Sequence, residues 1–216
     1  MIKFEYTDVY GFDAAIRGMR NPMNSWDKSD SVRYCGTVDP CTGCPLERKE
    51  CALEVYPLNG WCFKLGDNDL ELMRKLARAG DDHGKFARFI TVSVDITAPL
   101  YLWKEFDTYK VGVVTNSCST MHKIHDKEFT LDDFSHEHLL DGALYDLQQT
   151  IKALNRYRDY YLATKNREFW WQLIQLLPST YNQRRTLLLN YQVLNRVYHA
   201  RKNHKLDEWH ALCDWV

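Results

Sequence analysis

The stretch of sequence that decides the fold is Pro99-Leu-Tyr-Leu-Trp-Lys-Glu-Phe-Asp-Thr-Tyr-Lys-Val-Gly-Val-Val-Thr-Asn-Ser-Cys-Ser-Thr-Met-His122. It opens with apolar residues at helical spacing, and Pro99 suits the first turn of a helix because it has no N–H group to leave unpaired there. The apolar face of this helix carries Leu100, Trp103 and Phe106. The pattern therefore predicts a short aromatic helix that gives way to a polar segment after Gly112.

The polar segment after Gly112 carries three side chains that suit ligand binding, namely Asn116, Ser117 and Ser119. Amide and hydroxyl groups, together with backbone N–H groups that a loop leaves free, bind a phosphate, a ribose hydroxyl or the edge of a base. The same side chains also cap neighbouring elements in ordinary polar loops. Spacing alone leaves both interpretations open.

The pattern on either side predicts a single α+β domain over residues 1–216, helix-rich and with a small sheet in the first half. Residues 2–7 alternate apolar and polar, and the run 89–94 is rich in β-branched residues, so both are predicted strands. The predicted helices cover approximately 12–19, 67–79, 100–106, 140–161, 169–177, 182–202 and 207–215. The long apolar stripe from Leu140 to Tyr161 is typical either of a seam between subunits or of a core helix.

Composition excludes several classes of protein. The chain has 216 residues, of which 45% are hydrophobic, and this excludes disorder as the main state. Its 28 Lys and Arg balance 29 Asp and Glu, so it lacks the basic surplus of a general nucleic-acid coat. No apolar run approaches the roughly 20 residues of a membrane span, and the first residues are charged where a signal peptide is apolar. We therefore expect a cytoplasmic protein.

Four of the seven cysteines crowd into positions 35–51, inside the segment 22–62, which is too long for an ordinary connection. They are Cys35, Cys41, Cys44 and Cys51. Cys41-Thr-Gly-Cys44 is a tight knuckle in which a short turn lets two thiolates face one ion, and four thiolates form a tetrahedral zinc site or, less commonly, bind an iron–sulfur cluster. A reduced cluster without metal and a redox disulfide are the alternatives.

The order of these features resembles the flavin-dependent thymidylate synthase family, over roughly residues 67–215. The segment His83-Gly-Lys-Phe-Ala-Arg88 is similar to that family's entry segment, and the predicted strand follows it. Asn116 and Ser119 stand at the Asn and second Ser of the signature Arg-His-Arg-x-x-Ser-x-Asn-Glu-x-Ser-x-Arg-Tyr. Leu176-Leu-Pro-Ser-Thr-Tyr181 is similar to the family's Leu-Pro-x-x-x-Tyr break. The resemblance implies the family's fold.

The resemblance also implies ligands and site residues. Asn190 and Arg201 lie eleven apart, as do the family's flavin-contacting Asn and nucleotide-contacting Arg, and the prediction places both on one helix. It implies FAD contacts at His83, Lys110, Asn116 and Asn190. It implies nucleotide contacts at Asn116, Ser117, Ser119 and Arg201, with Ser119 as the catalytic residue that orients a pyrimidine. Since the family's sites lie between subunits, it further implies a homotetramer.

Several substitutions depart from the family signature. Tyr109, Lys110 and Val111 replace Arg-His-Arg, and Met121 replaces the closing Arg. Between Asn190 and Arg201 the family often has another Arg, where this chain has Gln192. Guanidinium groups bind phosphate through two charged hydrogen bonds that these side chains cannot make. We therefore predict a nucleotide-binding protein with weak or absent flavin binding and altered or lost C5-methylation; a non-catalytic protein that sequesters a nucleotide or binds a partner is the alternative.

Overall fold

The computed structural model describes residues 2–35 and 61–216 of the chain. The described strands are β1 (Lys3–Tyr10), β2 (Val32–Cys35), β3 (Trp61–Lys64), β4 (Thr91–Pro99), β5 (Val114–Ser117) and β6 (Asn182–Asn190). The described helices are α1 (Phe12–Arg20), α2 (Asp67–Arg78), α3 (Leu100–Phe106), α4 (Asp141–Thr164), α5 (Arg167–Leu176), α6 (Tyr191–Arg201) and α7 (Asp207–Trp215). A 3-10 helix, Gly84–Arg88, lies between α2 and β4. This confirms the helix-rich α+β class.

A four-stranded antiparallel sheet in the order β1-β4-β6-β5 forms the centre of the fold. One face of the sheet is buried, because alternate residues of β4 and β6 point into the core. These residues are Val92, Val94, Ile96, Ala98, Leu187 and Leu189. Side chains from α1, α3, α6 and α7 complete this core. The opposite face carries polar and partly exposed residues.

The predicted helix from 182 to 202 is wrong in its first half. Residues Asn182–Asn190 form β6, which pairs with β4 over nine residues and with β5 over four, so the sheet also takes a strand from the second half of the chain. Leu188 has helical spacing to Tyr191 and Leu194, but pairing with two distant strands satisfies the backbone on both sides and outweighs that local pattern. Helix α6 begins only at Tyr191, where the Asn190 side chain accepts a hydrogen bond from Val193 N at 3.1 Å.

Helices α4 and α5 pack together over a second apolar cluster. The middle of the stripe predicted from Leu140 to Tyr161 is buried here, through Leu147, Ile151 and Leu154. The core-helix interpretation therefore holds for these three residues, whereas Leu140 is 82% exposed. These three residues are therefore not available to a seam between subunits, and the homotetramer stays a prediction.

A buried ion pair lies beside the place where the segment 22–62 joins the rest of the fold. We call this place, formed by residues 29–31 and the start of α2, the base of the segment. The Arg20 Nε donates to Asp69 Oδ1 at 2.6 Å, and the two side chains are 4% and 0% exposed. The second carboxylate oxygen of Asp69 accepts hydrogen bonds from the hydroxyls of Ser29 and Ser31 and from the backbone N–H of Ser31. One carboxylate thus ties α1, the loop at 29–31 and the first turn of α2 together.

The loop at 29–31 also caps α2. Both oxygens of the Asp30 carboxylate accept backbone N–H groups of the first helical turn, from Asn68 and Asp69. Gly66 lies so close that a Cβ at this position would stand 2.1 Å from the Asp30 carboxylate. Strands β2 and β3 continue from this base as a two-stranded antiparallel sheet. The two ends of the cysteine-bearing segment are therefore held side by side.

The predicted metal ligands fall mostly beyond this base. Cys41, Cys44 and Cys51 lie outside the described residues, and Cys35 is the last residue of β2. Within the described part of the chain, no group of three or more His, Cys, Asp or Glu residues is placed to hold a metal ion. Within residues 2–35 and 61–216, no helix has the length and apolar character to cross a membrane.

Candidate functional site

Strand β5 carries two of the predicted ligand residues and directs them to opposite sides of the sheet. Asn116 pairs with Thr186, whose hydroxyl donates to Asp95 Oδ1 at 2.6 Å on the open face. Ser117 pairs with Arg185 on the other face. Successive side chains alternate along a strand, so a ligand lying on one face contacts only one of the two predicted residues.

Ser119 follows β5 and is engaged in a turn. Its Oγ accepts hydrogen bonds from the backbone N–H groups of Met121, at 3.2 Å, and His122, at 2.8 Å. This is the capping role that the sequence left open for the polar segment. The hydroxyl proton is still able to donate, so the turn leaves Ser119 one hydrogen bond to offer a ligand.

Arg201, the predicted nucleotide contact, is paired inside the chain. Its Nη1 donates to Glu105 Oε2 at 3.0 Å, and its Nε donates to the Tyr109 hydroxyl at 2.8 Å. The guanidinium carbon lies 4.6 Å from the centre of the Trp209 ring, and Trp209 Nε1 donates to the same Glu105 oxygen. Since Glu105 balances its charge, a phosphate that approaches Arg201 competes with this carboxylate for the guanidinium.

Asn190 lies at the junction of β6 and α6, where the loop before β5 approaches it. Gly112 has a φ of 81°, and a Cβ there would stand 3.0 Å from Asn190 Nδ2 and 3.1 Å from Val193 Cγ2. Only glycine fits this conformation and this approach without strain. The glycine therefore lets the loop that follows Lys110, an exposed cation, pack against the start of α6.

The predicted ligand residues are spread along this end of the molecule. Asn116 pairs with the residue four before Asn190, so the two asparagines are about 13 Å apart along the strand direction. Arg201 follows Asn190 by eleven residues of helix, or about 16 Å. His83 is exposed directly before the 3-10 helix. The structure thus packs Gly112 against Asn190, but it does not gather all the predicted residues around one point.

The sequence did not reveal a cavity of about 390 Å³ beside the first turn of α6. Its walls come from α1, α2, the 3-10 helix and α6. They include Phe12, Met73, Phe86, Ile90, Tyr191 and Gln192. Most of the lining is apolar, and the volume falls within the range of pockets that hold small organic ligands.

Gln192 is the buried polar side chain of this cavity. Its Oε1 accepts a hydrogen bond from Arg88 Nε, and its amide also interacts with the Asp81 carboxyl. At the rim, Arg196 donates to Asp81. The hydrogen bond from Arg196 and, next, the proximity of the Gln192 amide lower the pKa of the Asp81 carboxyl, so it is ionised at neutral pH.

Comparison with known proteins fixes the fold family. No protein-family model matches the chain, and no curated protein matches it. Among solved structures, Helicobacter pylori ThyX, a flavin-dependent thymidylate synthase complexed with FAD and dUMP, superposes with a TM-score of 0.61 at 14% identity. The match covers 99% of this chain and 90% of that one. The chain has the flavin-dependent thymidylate synthase fold.

A second relative has the same fold. The UMP/dUMP methylase PolB from Streptomyces cacaoi, bound with 5-Br dUMP, superposes with a TM-score of 0.54 at 13% identity. That match covers 90% of this chain and 75% of PolB. The similarity to both proteins is a similarity of fold. It confirms the fold that the sequence resemblance implied.

Within the thymidylate synthase fold, one sequence signal pointed towards the cavity. Small residues recur where α2 faces the 3-10 helix, and they leave space that larger side chains would fill. These residues are Ala77, Gly80, Gly84 and Ala87. Their spacing is visible in the sequence, but the contact between α2 and the 3-10 helix that turns it into a cavity is not.

Proposed function

We propose that this protein is a divergent flavin-dependent thymidylate synthase-like protein that binds a pyrimidine nucleotide, with altered or lost C5-methylation chemistry. The observation that carries the proposal is the largely apolar cavity beside α6, which is lined by Tyr191 and Gln192, the two residues that directly follow Asn190. Support for the ligand class comes from the two relatives, one complexed with FAD and dUMP and the other bound to 5-Br dUMP.

We assign the phosphate of the nucleotide to Lys110. This lysine is exposed beside the junction of Gly112 and Asn190. Asn190 uses its Oδ1 to cap α6, which leaves its Nδ2 as a donor. Arg201 joins the site when Glu105 is displaced. Asn116, Ser117, Ser119 and His83 remain proposed contacts, and the alternation along β5 means that Asn116 and Ser117 contact different ligand groups or different copies of the chain.

The charge available for an anionic cofactor is small. In the stretch that resembles the signature, Tyr109, Val111 and Met121 carry no charge, and Lys110 supplies one ammonium group. Arg201 is balanced by Glu105. FAD carries a pyrophosphate, and a lone lysine binds it less strongly than several guanidinium groups would. The cavity fits a ring, whereas the surrounding charges fit a pyrophosphate poorly, so we propose weak flavin binding and assign no reaction step to it.

The contact between Arg201 and Glu105 also favours a second candidate, a non-catalytic protein that sequesters a nucleotide or binds a partner. An arginine held by a carboxylate, an aromatic ring and a tyrosine hydroxyl stabilises the fold without any ligand. Such a protein binds nucleotide without turnover, so turnover separates the two candidates.

We expect dUMP or UMP to bind the purified protein and no dTMP to form from dUMP when flavin, reductant and the folate donor are supplied. Isothermal calorimetry measures the binding, and AMP is the control for base selectivity. If no pyrimidine nucleotide binds, the proposed function is wrong. Formation of dTMP would instead show that the family reaction has survived the loss of its charged residues.

The four clustered cysteines carry a separate proposal, a structural zinc site formed by Cys35, Cys41, Cys44 and Cys51. The two-stranded sheet of β2 and β3 brings the ends of their segment together. We expect about one zinc per chain in reduced protein and a marked loss in Cys41→Ser, because a closed site needs all four thiolates. Cys118→Ser, at an exposed cysteine, is the control. Less than about one-tenth of an equivalent by metal analysis would contradict this proposal.

A further inference from the structure

We propose that the end of the hairpin formed by α4 and α5 binds a short stretch of single-stranded nucleic acid, with bases stacked on its aromatic rings and phosphates bound by its lysines and arginines. We call residues 152–171 the hairpin tip. The proposal is independent of the pyrimidine-nucleotide site at the start of α6. It follows from three observations: the charge of the hairpin tip, the rings beneath its cations and the polar turn between the two helices.

The hairpin tip carries a local excess of positive charge. Residues 152–171 contain five Lys and Arg against two Asp and Glu, whereas the whole chain has 28 against 29. Of the two acids, Asp159 accepts from Arg158 at 2.9 Å, and Glu168 lies in the first turn of α5, where a carboxylate complements the helix dipole. Four exposed cations remain, and none of them forms an ion pair with the residues that the structure describes. They are Lys152, Arg156, Lys165 and Arg167.

The arginines that follow in the chain are paired differently. Each of them binds a carboxylate of the fold. The pairs are Arg184 with Asp95, Arg185 with Asp107, Arg196 with Asp81 and Arg201 with Glu105. A guanidinium that lies over a ring keeps its N–H donors available to an anion, whereas one bound by a carboxylate has used them. The unpaired cations of the hairpin tip therefore favour an anionic partner.

Three of the four unpaired cations lie over aromatic rings, with 5.2 to 5.8 Å between the charged group and the ring centre. The pairs are Arg156 with Tyr157, Lys165 with Tyr161, and Arg167 with both Trp170 and Trp171. Proteins that bind single strands combine these two elements, because bases stack on aromatic rings while phosphates bind the neighbouring cations. The hairpin tip thus matches a partner that is both anionic and aromatic.

Rings from both helices meet at the hairpin tip. The ring centres of Tyr160 on α4 and Phe169 on α5 are 5.2 Å apart, and those of Trp170 and Trp171 are 4.9 Å apart. Trp170 is fixed by a hydrogen bond from its Nε1 to the carbonyl oxygen of Met121 at 3.0 Å. Tyr160 and Trp171 are 48% and 43% exposed, so each is anchored on the protein and still offers surface to a base.

The turn between the helices argues against a membrane surface as the partner. Residues 163–168, Ala-Thr-Lys-Asn-Arg-Glu, contain no large apolar side chain, and a segment that enters lipid needs such side chains. Double-stranded nucleic acid is also a poor match, since its bases are already stacked on one another. Because the chain as a whole has no basic surplus, we expect a local site that spans a few nucleotides.

The test measures fluorescence anisotropy of labelled oligo-dT and oligo-rU of about 12 nucleotides with the full-length protein. We expect binding at low salt, and at least tenfold weaker binding of a duplex of the same length. Binding of either single strand supports the proposal, and the tighter one identifies the preferred sugar. Each phosphate contact to a single strand contributes about 0.7 to the slope of log affinity against log salt, so four cations predict a slope of about −3.

The charge of the hairpin tip is tested by Arg156→Gln combined with Arg167→Gln. Loss of two phosphate contacts should reduce the salt slope by roughly 1.4 and lower the affinity at least tenfold. Lys75→Gln combined with Arg78→Gln removes two exposed cations from α2 and is the matched control. The control should leave the affinity and the slope nearly unchanged.

The stacking contact is tested by Trp171→Ala. We expect at least a fivefold loss of affinity with an unchanged salt slope, because one base loses its ring while the phosphate contacts remain. Trp171→Phe keeps a ring and should retain most of the affinity. Tyr145→Ala removes a more exposed ring near the start of α4 and is the control. If Trp171→Ala does not fold, the two arginine substitutions still test the proposal, since they remove exposed charges and leave the apolar cluster intact.

Three results would overturn the proposal. The first is no binding of either single strand at low salt, and the second is binding that the arginine substitutions leave unchanged. The third is binding to phosphatidylserine–phosphatidylcholine vesicles without binding to the oligonucleotides, which would assign the hairpin tip to a membrane surface. Arg156→Gln combined with Arg167→Gln should bind dUMP as the unchanged protein does, so failure of this proposal and failure of the proposed function are separate outcomes.

Discussion

Replacing Asp69 with alanine is expected to lower the free energy of unfolding by about 3–5 kcal/mol, the range found when one partner of a buried ion pair is removed. Arg20 would be left buried and unbalanced, and the hydroxyls of Ser29 and Ser31 would lose their acceptor. Chemical denaturation measures the change. Asp67→Ala, at an exposed position in the same helical turn, is the control and should change stability by less than about 1 kcal/mol.

The same carboxylate predicts how stability depends on pH. Burial alone would raise the pKa of Asp69, but hydrogen bonds from Ser31, Ser29 and Arg20 together outweigh burial and lower it below its ordinary value. A lowered pKa in the folded state means that the contribution is fully present above the unfolded value of 3.8 and is lost as the pH falls through the folded value. Asp69→Ala should therefore lose part of the acid sensitivity of the unchanged protein. A loss of stability below 1 kcal/mol would contradict both expectations.

Replacing Glu105 with glutamine is expected to raise the affinity for dUMP about tenfold, because the neutral amide competes less strongly with a phosphate for Arg201. Glutamine keeps the size of the side chain and an acceptor for Trp209 Nε1. Arg201→Ala should lower the affinity by well over tenfold, which corresponds to the roughly 2–5 kcal/mol lost when a charge-assisted contact is truncated. Calorimetry with dUMP measures both changes.

A double-variant cycle tests whether Glu105 and the phosphate of dUMP compete for Arg201. If Glu105 acts only through Arg201, Glu105→Gln has no effect on dUMP binding once Arg201 is alanine. Lys202→Ala, at the exposed neighbour of Arg201, is the control for a general change in charge. Unchanged affinity in both Glu105→Gln and Arg201→Ala would show that this pair supports the fold alone.

Local sequence patterns were sufficient to predict most elements of the fold. They failed where pairing with a distant strand determines whether a segment is a helix or a strand. The strand β1 and the helices α1, α2 and α5 follow their own periodicity and start and stop signals. Within residues 182–190, Leu188 has helical spacing to Tyr191 and Leu194, and the pairing with β4 that makes this segment a strand joins residues about ninety positions apart. Such pairing leaves little trace in the local sequence.

In the candidate site, the sequence likewise identified suitable residue types but not the residues with which they interact. Sequence reasoning identified Arg201 as a residue suited to bind phosphate, but its partner Glu105 lies 96 residues away and was noted only as part of a helix. Ser119 was chosen for its hydroxyl, and the turn it closes uses neighbours only two and three residues on. Gln192 was noted as a departure from the family, and only the packing of Arg88 against it shows how the amide is oriented.

The base formed by Asp30, Ser31, Gly66 and Asp69 makes the cysteine-bearing segment a module with its own point of attachment. Because β2 and β3 already hold its ends side by side, the chain between them closes a loop whose entropy changes by only about 0.6 kcal/mol for each doubling in length. Insertions, deletions or exchange of residues 36–60 therefore act on a closed stem rather than on the sheet. This part of the protein can therefore change in length or sequence without disturbing the four-stranded sheet.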